Sequence, residues 1–281
     1  MRFVSCVHHG ENLVALVEGD SLVPLVGITE LGLQTPSSLL ADPPLDRSAT
    51  FARTEAQLRP VVPHPQKIIC VGLNYRTHIH ETGRDDSSYP VLFTKFATSL
   101  VGPYDPILVP AESAQVDWEG EIAVIIGTPA RRVSHQKALS HVAGYSIAND
   151  VSMRDFQHRT HQWLQGKTWD SSNPLGPELV TPEEAPDFAD MEMVVHYDNL
   201  EVQRTTADLM VFGVPELIST ISTFTTLLPG DVILSGTPGG VGARRDPPLF
   251  MEPGHRVSVE VTGLGRIDND LVAENRAVEG S

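Results

Sequence analysis

Short apolar runs separated by turn residues dominate the hydropathy pattern of this chain. The first 26 residues contain three such runs, RFVSCV, LVALVEG and LVPLVG, separated by the turns Gly10-Glu11-Asn12 and Gly19-Asp20-Ser21. Runs of this length that are rich in Val and Leu and bounded by Gly, Asn or Asp are typical of antiparallel strands. The pattern therefore predicts a small antiparallel meander at the N-terminus.

Similar runs continue from Lys67 to about residue 270 and predict a core made mainly of strands. They are KIICVGLNY, EIAVIIG, VAGYSIAND, MEMVVHYD, DVILSG and RVSVEVTG. The segments with helical features are Ser37–Ala41, Ser134–His141, Ser152–Gln165 and Val214–Phe224. Many strands with few helices predict a mixed β (α+β) class, a mixed β-sandwich or barrel rather than a doubly wound sheet.

Prolines mark the predicted domain organisation. A chain of 281 residues is long enough for about two domains, or for one large β-rich domain. A stretch with little periodicity is punctuated by Pro43, Pro44, Pro60, Pro63 and Pro65, which predicts a linker. We therefore expect a small N-terminal α/β domain with its linker at residues 1–62, a larger β-rich domain at residues 63–273 and a disordered tail at residues 274–281.

The charge balance narrows the range of partners. The chain has 20 Lys and Arg against 36 Asp and Glu, a net charge of −16. Such a surface repels nucleic acid and anionic lipid, so an anionic substrate needs a local region of positive charge. Two cysteines form no disulfide framework. The N-terminus lacks the features of a signal peptide, and no run of 18 apolar residues occurs, so we expect a cytoplasmic protein.

Three carboxylates stand where apolar runs begin or end. In a strand, Glu119 and Glu121 point to the same side, about 7 Å apart by strand rise. Asp150 ends the run SIAND and is placed to join them. Buried carboxylates this close repel each other unless a cation lies between them, and an all-oxygen set suits Mg²⁺ or Mn²⁺. The alternative is a solvated acidic edge, which is common in a chain with 36 acidic residues.

A histidine and a glutamate follow the first strand of the larger domain. His78 and Glu81 are three residues apart, so on a helical turn their side chains face each other. A carboxylate that accepts one ring N–H orients the imidazole and makes it a stronger general base. The alternative is an ordinary His–Glu pair on a surface loop.

Further cations and a glycine-rich turn are candidates for holding an anionic ligand. Hydrogen-bond donors are supplied by Arg154, Gln157 and Lys167. Thr237 lies in the turn SGTPGGVG. An arginine can bind a carboxylate with two hydrogen bonds, and glycines let the backbone approach a ligand closely. Solvated side chains and an ordinary loop are the alternatives. The sequence contains no GxSxG, P-loop or dinucleotide-binding motif.

Taken in order along the chain, these motifs resemble the fumarylacetoacetate hydrolase family. The similar stretches cover roughly residues 65–270 and are VGLNYRTHIHE, PVLFTKF, VDWEGEIAVIIG, GYSIANDVSMRDFQ, GKTWDSSNPLGP, LLPGDVILSGTPGGVG and VTGLGRIDN. The resemblance implies a mixed β-roll with few helices, a small variable N-terminal domain and a homodimer. Trp118 and Trp169 stand where many members have Tyr and Phe.

The resemblance also assigns roles to residues. It implies that Mg²⁺ or Mn²⁺ is held by Glu119, Glu121 and Asp150. It implies a catalytic group of His78, Glu81 and Lys167. It implies a substrate pocket that includes Tyr75, Arg154, Gln157, Gly236 and Thr237.

The activity expected from this resemblance is metal-dependent hydrolysis of a C–C bond in a 2,4-dioxo acid of the acylpyruvate type, which gives pyruvate and a carboxylic acid. The same site would serve other reactions. These are oxaloacetate decarboxylation, isomerisation of an unsaturated 2-hydroxy or 2-oxo acid, and hydrolysis of a 2,4-dioxo sugar acid. A metal-binding relative without catalysis is the non-enzyme alternative.

Overall fold

The structure, a computed structural model, describes residues 1–82 and 88–275. The strands in these residues are β1 (Arg2–His8), β2 (Glu11–Glu18), β3 (Ser21–Pro24), β4 (Phe51–Ala52), β5 (Gln57–Leu58), β6 (Ile68–Gly72), β7 (Val91–Lys95), β8 (Leu100–Val101), β9 (Ile107–Val109), β10 (Val116–Asp117), β11 (Gly120–Ile126), β12 (Val142–Asn149), β13 (Ser152–Met153), β14 (Asn173–Val180), β15 (Glu192–Tyr197), β16 (Leu200–Thr206), β17 (Val232–Leu234), β18 (Arg256–Val261) and β19 (Gly265–Ala273).

Helices are few and short in the same residues. The α-helices are α1 (Ser37–Ala41), α2 (Arg76–Thr82), α3 (Arg154–Gln157), α4 (Leu164–Lys167) and α5 (Val214–Phe224). The 3₁₀ helices are Arg47–Ala49, Arg53–Glu55, Ala97–Ser99, His135–His141, Phe188–Asp190, Ala207–Leu209 and Gly242–Arg244. No helix of the described residues is long and apolar enough to cross a membrane.

Two sheets form the body of the fold. Within the described ranges, the larger has 12 strands, and its path runs β4-β3-β2-β1-β14-β12-β11-β17-β6-β7. The smaller has 5 strands in the order β16-β15-β18-β19-β9. All residues of β11 are buried, with Ile122 and Val124 in one apolar core and Ala123 and Ile125 in the other. The strand-dominated mixed β class predicted from the sequence is confirmed.

The smaller sheet packs against the larger one at the start of β11. A side chain at Gly120 would place its Cβ 2.4 Å from Val195 of β15 and 3.1 Å from Val259 of β18. Only glycine leaves room for this approach. The two acidic residues on either side of Gly120 are thereby held where the sheets meet.

The N-terminal strands belong to the larger sheet. β1 pairs with β14 in antiparallel register, Arg2 opposite Val180 and Phe3 opposite Leu179. Phe3 and Leu179 share one apolar core, and Glu178 of β14 forms an ion pair with Arg2. The predicted meander is confirmed. The predicted domain boundary after residue 62 stays a prediction, and the strands before it share a sheet with the strands after it.

Two of the predicted helices are confirmed and two differ. Ser37–Ala41 and Val214–Phe224 are α-helices with the predicted bounds, whereas Ser134–His141 is a 3₁₀ helix from His135. The single helix predicted over Ser152–Gln165 is wrong, because β13 pairs with β10 at its start and α3 ends at Gln157. The predicted tail lies outside the described residues from 276 onward.

Candidate active site

The register of the β11–β12 ladder brings two acidic residues to one end of the sheet. Gly120 lies opposite Asn149, so Glu119 and Asp150 stand next to each other just beyond the paired strands. The Asp150 N–H donates to the Glu119 carbonyl at 2.8 Å. Glu121 adds the third carboxylate, and one oxygen from each of the three lies within 4.8 Å of the others. All three residues are buried. The structure thus brings together the acids predicted to be metal ligands.

Buried cations surround two of these carboxylates. Lys167 Nζ donates to Glu119 Oε2 at 2.6 Å and to Asp150 Oδ2 at 2.8 Å. Lys95 Nζ donates to Asp150 Oδ1 at 2.7 Å, and Arg154 forms an ion pair with Glu119 Oε1 at 2.6 Å. Burial by itself would raise the pKa of Glu119, but the charges of Lys167 and Arg154 outweigh it and lower this pKa to about 2.

Glu121 has a different environment from its two neighbours. Its Oε2 accepts a hydrogen bond from the Gly236 N–H at 2.7 Å. Among the described residues, no Lys or Arg nitrogen lies within 4.0 Å of its carboxylate. Burial and the charges of Asp150 and Glu119 raise the pKa of Glu121 well above its ordinary value.

The charges of the cluster fit a divalent cation. The buried acids are Asp117, Glu119, Glu121 and Asp150, and the buried cations are Lys95, Arg154 and Lys167. Among the described residues, the cluster thus holds one more acid than base, and Glu121 is the carboxylate without a cationic partner. Because the three grouped carboxylates offer only oxygen, they suit a hard ion such as Mg²⁺ or Mn²⁺.

The predicted histidine–glutamate pair forms on α2. His78 Nδ1 lies 3.4 Å from Glu81 Oε2, and His78 is 8% exposed. Glu81 Oε1 accepts from the Gly240 N–H at 2.6 Å, and Thr77 Oγ1 accepts from the Gly239 N–H at 3.1 Å. The helix that carries the pair is therefore fixed to the glycine-rich turn after β17.

A cavity adjoins the carboxylate cluster. The predicted site residues that line it are His78, Glu119, Arg154, Gln157, Lys167 and Thr237. Its apolar wall includes Val71, Phe93 and Trp163. Trp118 and Trp169 are not part of the described lining, so the substitutions noted in the sequence do not shape this wall directly.

The other predicted site residues are not among the residues that line the cavity. Glu121 and Gly236 bond to each other, Asp150 accepts from Lys167, and Glu81 contacts His78. Tyr75 is fully buried, and among the described residues its hydroxyl has no hydrogen-bond partner. Burial and the charge of Glu121 raise the Tyr75 pKa. The substrate-binding role of Tyr75 stays a prediction.

Sequence reasoning missed several residues that support the site. Lys95 ends the apolar run VLFTK, and this lone charge after apolar residues was the available signal. Asp117 accepts from Arg154 Nε at 2.8 Å and from the Gly242 N–H at 2.7 Å. Gln203 Nε2 donates to Thr237 Oγ1 at 2.9 Å, a contact between distant segments that no local pattern indicates.

One missed cation lines the cavity itself. Arg244 is exposed and follows the glycine-rich turn. Within the described part of the chain, no carboxylate lies within 4.0 Å of its guanidinium. Arg154 and Lys167, in contrast, are already paired with acids. Arg244 is therefore placed to bind an anionic group that enters from solvent.

The strand-rich fold thus brings together a buried carboxylate cluster, a His–Glu pair and a cavity lined by cations. Residues 67–272 match the family described as fumarylacetoacetate (FAA) hydrolase, C-terminal. The chain belongs to the fumarylacetoacetate hydrolase family, and the resemblance seen in its motifs is confirmed.

The chain is similar to curated relatives that are named as enzymes. It is 43% identical over 222 residues to the bovine (Bos taurus) protein named oxaloacetate tautomerase FAHD2A, mitochondrial, covering 78% of this chain and 71% of that one. It is 40% identical over 270 residues to oxaloacetate tautomerase fahd2, mitochondrial, of Xenopus laevis, covering 94% and 83%. Because these names include mitochondrial proteins, the cytoplasmic location stays a prediction.

Solved structures of similar fold cover nearly the whole chain. A 5-carboxymethyl-2-hydroxymuconate delta-isomerase from Mycobacterium smegmatis is 31% identical with a TM-score of 0.84, covering 98% of this chain and 100% of that one. A fumarylacetoacetate hydrolase from psychrophilic Exiguobacterium antarcticum is 33% identical with a TM-score of 0.85, at the same coverage. The family relatives thus include isomerases as well as hydrolases.

Proposed function

We propose that this protein catalyses the keto–enol tautomerisation of oxaloacetate or a closely similar 2-oxo dicarboxylic acid. The observation that carries the proposal is the cavity, which joins His78 and the carboxylate cluster to the exposed Arg244, a residue with no ion-pair partner among the described residues. A substrate with a carboxylate at each end has one group for each region. The names of the relatives at 40–43% identity support the same substrate.

The mechanism needs one proton to move from C3 of the substrate to its 2-oxygen. His78 is the base for the C3 proton, and Glu81 holds its ring by contact with Nδ1. The enolate that results carries negative charge on the 2-oxygen, and return of the proton to that oxygen gives the enol. No water or other reactant is consumed, because the two tautomers have the same composition.

The carboxylate cluster would contribute charge stabilisation to this reaction. A divalent cation held by Glu119, Glu121 and Asp150 would act as a Lewis acid toward the 2-oxygen and the adjacent carboxylate. Lys167, which lines the cavity beside Glu119, places a second positive charge there. Trp163 and Phe93 form an edge-to-face pair with centroids 5.4 Å apart and supply the apolar wall beside it.

Hydrolysis of a 2,4-dioxo acid, the activity expected from the motifs, is the second candidate. The His78–Glu81 pair fits this reaction as well, since an oriented imidazole can also activate a water molecule for attack on the 4-oxo carbon. The similarity to a solved fumarylacetoacetate hydrolase supports the same reading.

One assay distinguishes the candidates. We would follow the decay of enol-oxaloacetate by its ultraviolet absorbance and measure pyruvate release from oxaloacetate and from acylpyruvates, with Mg²⁺, Mn²⁺ or EDTA. Faster enol decay without pyruvate supports the tautomerase. Pyruvate from acylpyruvates identifies a hydrolase, and pyruvate from oxaloacetate identifies a decarboxylase. No acceleration of any reaction with either metal refutes the proposal.

Two variants connect the activity to the geometry. His78→Ala is expected to lower kcat by about 10²–10⁴-fold through loss of the general base. His80→Ala, an exposed position on the same helix, is the matched control and should keep the wild-type rate. An unchanged rate in His78→Ala would remove this residue from the mechanism.

Arg244→Ala tests the second carboxylate. Loss of a charge-assisted hydrogen bond, about 1.5–3 kcal/mol, should raise KM for oxaloacetate by about 10–100-fold and change kcat less. Arg244→Lys should recover part of the affinity because it keeps the charge. An unchanged KM in Arg244→Ala shows that the distal carboxylate binds elsewhere.

A further inference from the structure

A second group of metal-ligating side chains lies at the turn between β1 and β2. His8 is the last residue of β1, His9 is in the turn, and Glu55 ends the 3₁₀ helix Arg53–Glu55. One ligand atom from each of the three lies within 4.8 Å of the others. None of these residues lines the cavity described above, and the fold alone brings Glu55 to the two histidines.

The imidazole of His8 is fixed in place and has an unsatisfied nitrogen. Its ring stacks on Phe51 with centroids 3.8 Å apart and planes 8° from parallel. Its Nε2 is shielded from solvent and, among the described residues, has no hydrogen-bond partner. Glu55 Oε2 is 3.7 Å away, too far for a hydrogen bond but close enough to share an ion. Such a shielded nitrogen is costly unless a ligand satisfies it.

The turn conformation sets the second imidazole beside the first. His9 has φ 49° and Gly10 has φ 82°, both in the left-handed region that tight hairpins between antiparallel strands use. The His9 ring centroid lies 4.0 Å from that of His8. Adjacent residues in a regular strand would point to opposite faces, so the left-handed backbone is what lets both rings reach the same point.

We propose that His8, His9 and Glu55 bind a transition-metal dication of the Zn²⁺ type. Two imidazole nitrogens and one carboxylate oxygen are ligands that Zn²⁺ accepts, with a further position left for water. This donor set differs from the all-oxygen set of the active site, so the two sites favour different ions. The bound ion would tie the β1–β2 turn to the segment that leads into β5.

Titration of the full chain with Zn²⁺ tests this site while excess Mg²⁺ occupies the carboxylate cluster. Isothermal calorimetry should show one Zn²⁺ equivalent in wild type that is lost in the His8→Ala/His9→Ala double variant. Each single variant should weaken binding by more than about tenfold, since even outer partners of metal ligands contribute 10–100-fold. Co²⁺ in place of Zn²⁺ should give a visible absorption band that the same variants lose.

His64→Ala is the matched control, because His64 also faces a glutamate, Glu30 at 2.7 Å, but lacks a second histidine. Its Zn²⁺ isotherm should equal that of wild type. If the histidine variants do not fold by circular dichroism, Glu55→Gln, at an exposed residue, replaces them and should weaken binding in the same direction. An unchanged Zn²⁺ isotherm in a folded double variant overturns the proposal.

Discussion

Glu119 and Glu121 lie two residues apart in one buried cluster, but their environments differ in charge. Glu119 is paired with Lys167 and Arg154, while Glu121 has the Gly236 N–H and no cation within 4.0 Å among the described residues. The sequence predicted their common location because alternate strand residues share a side. It gave no sign of this difference, since the partners come from segments 35 or more residues away.

The contrast predicts that two isosteric variants differ in their free energy of unfolding in EDTA. Glu119→Gln should lower the free energy of unfolding by about 3 kcal/mol, because it leaves two buried cations short of a partner. Glu121→Gln should lower it less, because Glu121 has no Lys or Arg partner among the described residues and its raised pKa shows that the site already disfavours the charged form. Urea unfolding checks this, and both variants should lose Mn²⁺ affinity. Equal destabilisation by both would contradict the proposed charge distribution.

The reactivity of Cys6 at pH 8 provides a test at the residue scale. Burial raises the pKa of this thiol to about 11, with a smaller opposing effect from Arg59. Because the thiolate is the reactive form and its fraction falls tenfold per pH unit below the pKa, Cys6 should be inert to Ellman's reagent at pH 8. Cys70 is also buried. Two thiols per chain should therefore react only after urea is added, and prompt reaction without urea would show that this core opens.

At the scale of elements, the close packing of α3 and α4 positions the cavity wall. A Cβ at Gly166 would lie 2.5 Å from the backbone nitrogen of Gln157, so the two helices touch where glycine leaves room. Arg154 and Gln157 reach the cavity from α3, and Lys167 reaches it from α4. The sequence favoured one continuous helix here, because hydrophobic periodicity carries no information about contacts between two short helices.

Gly166→Ala tests this packing. The added methyl group should displace α4, lower stability by about 1–3 kcal/mol and reduce kcat by moving Lys167. Gly32→Ala is the control, because a Cβ at Gly32 meets nothing within 4 Å and its φ is not in the left-handed region. Denaturant unfolding and the enol-decay assay measure the two effects. A Gly166→Ala protein with normal stability would show that the helices separate easily.

At the scale of the whole molecule, the N-terminal segment completes the larger sheet. β1 covers the edge of β14, and Arg2 and Arg53 both form ion pairs with Glu178. Composition predicted a boundary near residue 62 because prolines cluster there. Composition does not indicate which strands pair across such a boundary, since strand pairing depends on contacts far apart in sequence.

Removal of residues 1–62 tests how the segment contributes. It would expose the β14 edge and the apolar side chains of Leu175 and Leu179, which now pack in a shared core. We expect the full chain to unfold in one calorimetric transition. We expect the truncated chain to aggregate and to show no unfolding transition. Two transitions in the full chain, or a folded truncated chain, would instead support an independent N-terminal domain.

The sequence by itself determined the class of fold and the family, and its motifs indicated the carboxylates and the histidine of the candidate site. Strand alternation and short motifs are local, so the common side of Glu119 and Glu121 and the pairing of His78 with Glu81 could be predicted from their spacing. Only the tertiary structure decided that Lys95 and Lys167 pair with Asp150, that Arg154 and Lys167 pair with Glu119, that Arg244 lines the cavity, and that Glu55 meets His8 and His9. Those contacts depend on sheet register and helix packing, which join residues that no local pattern connects.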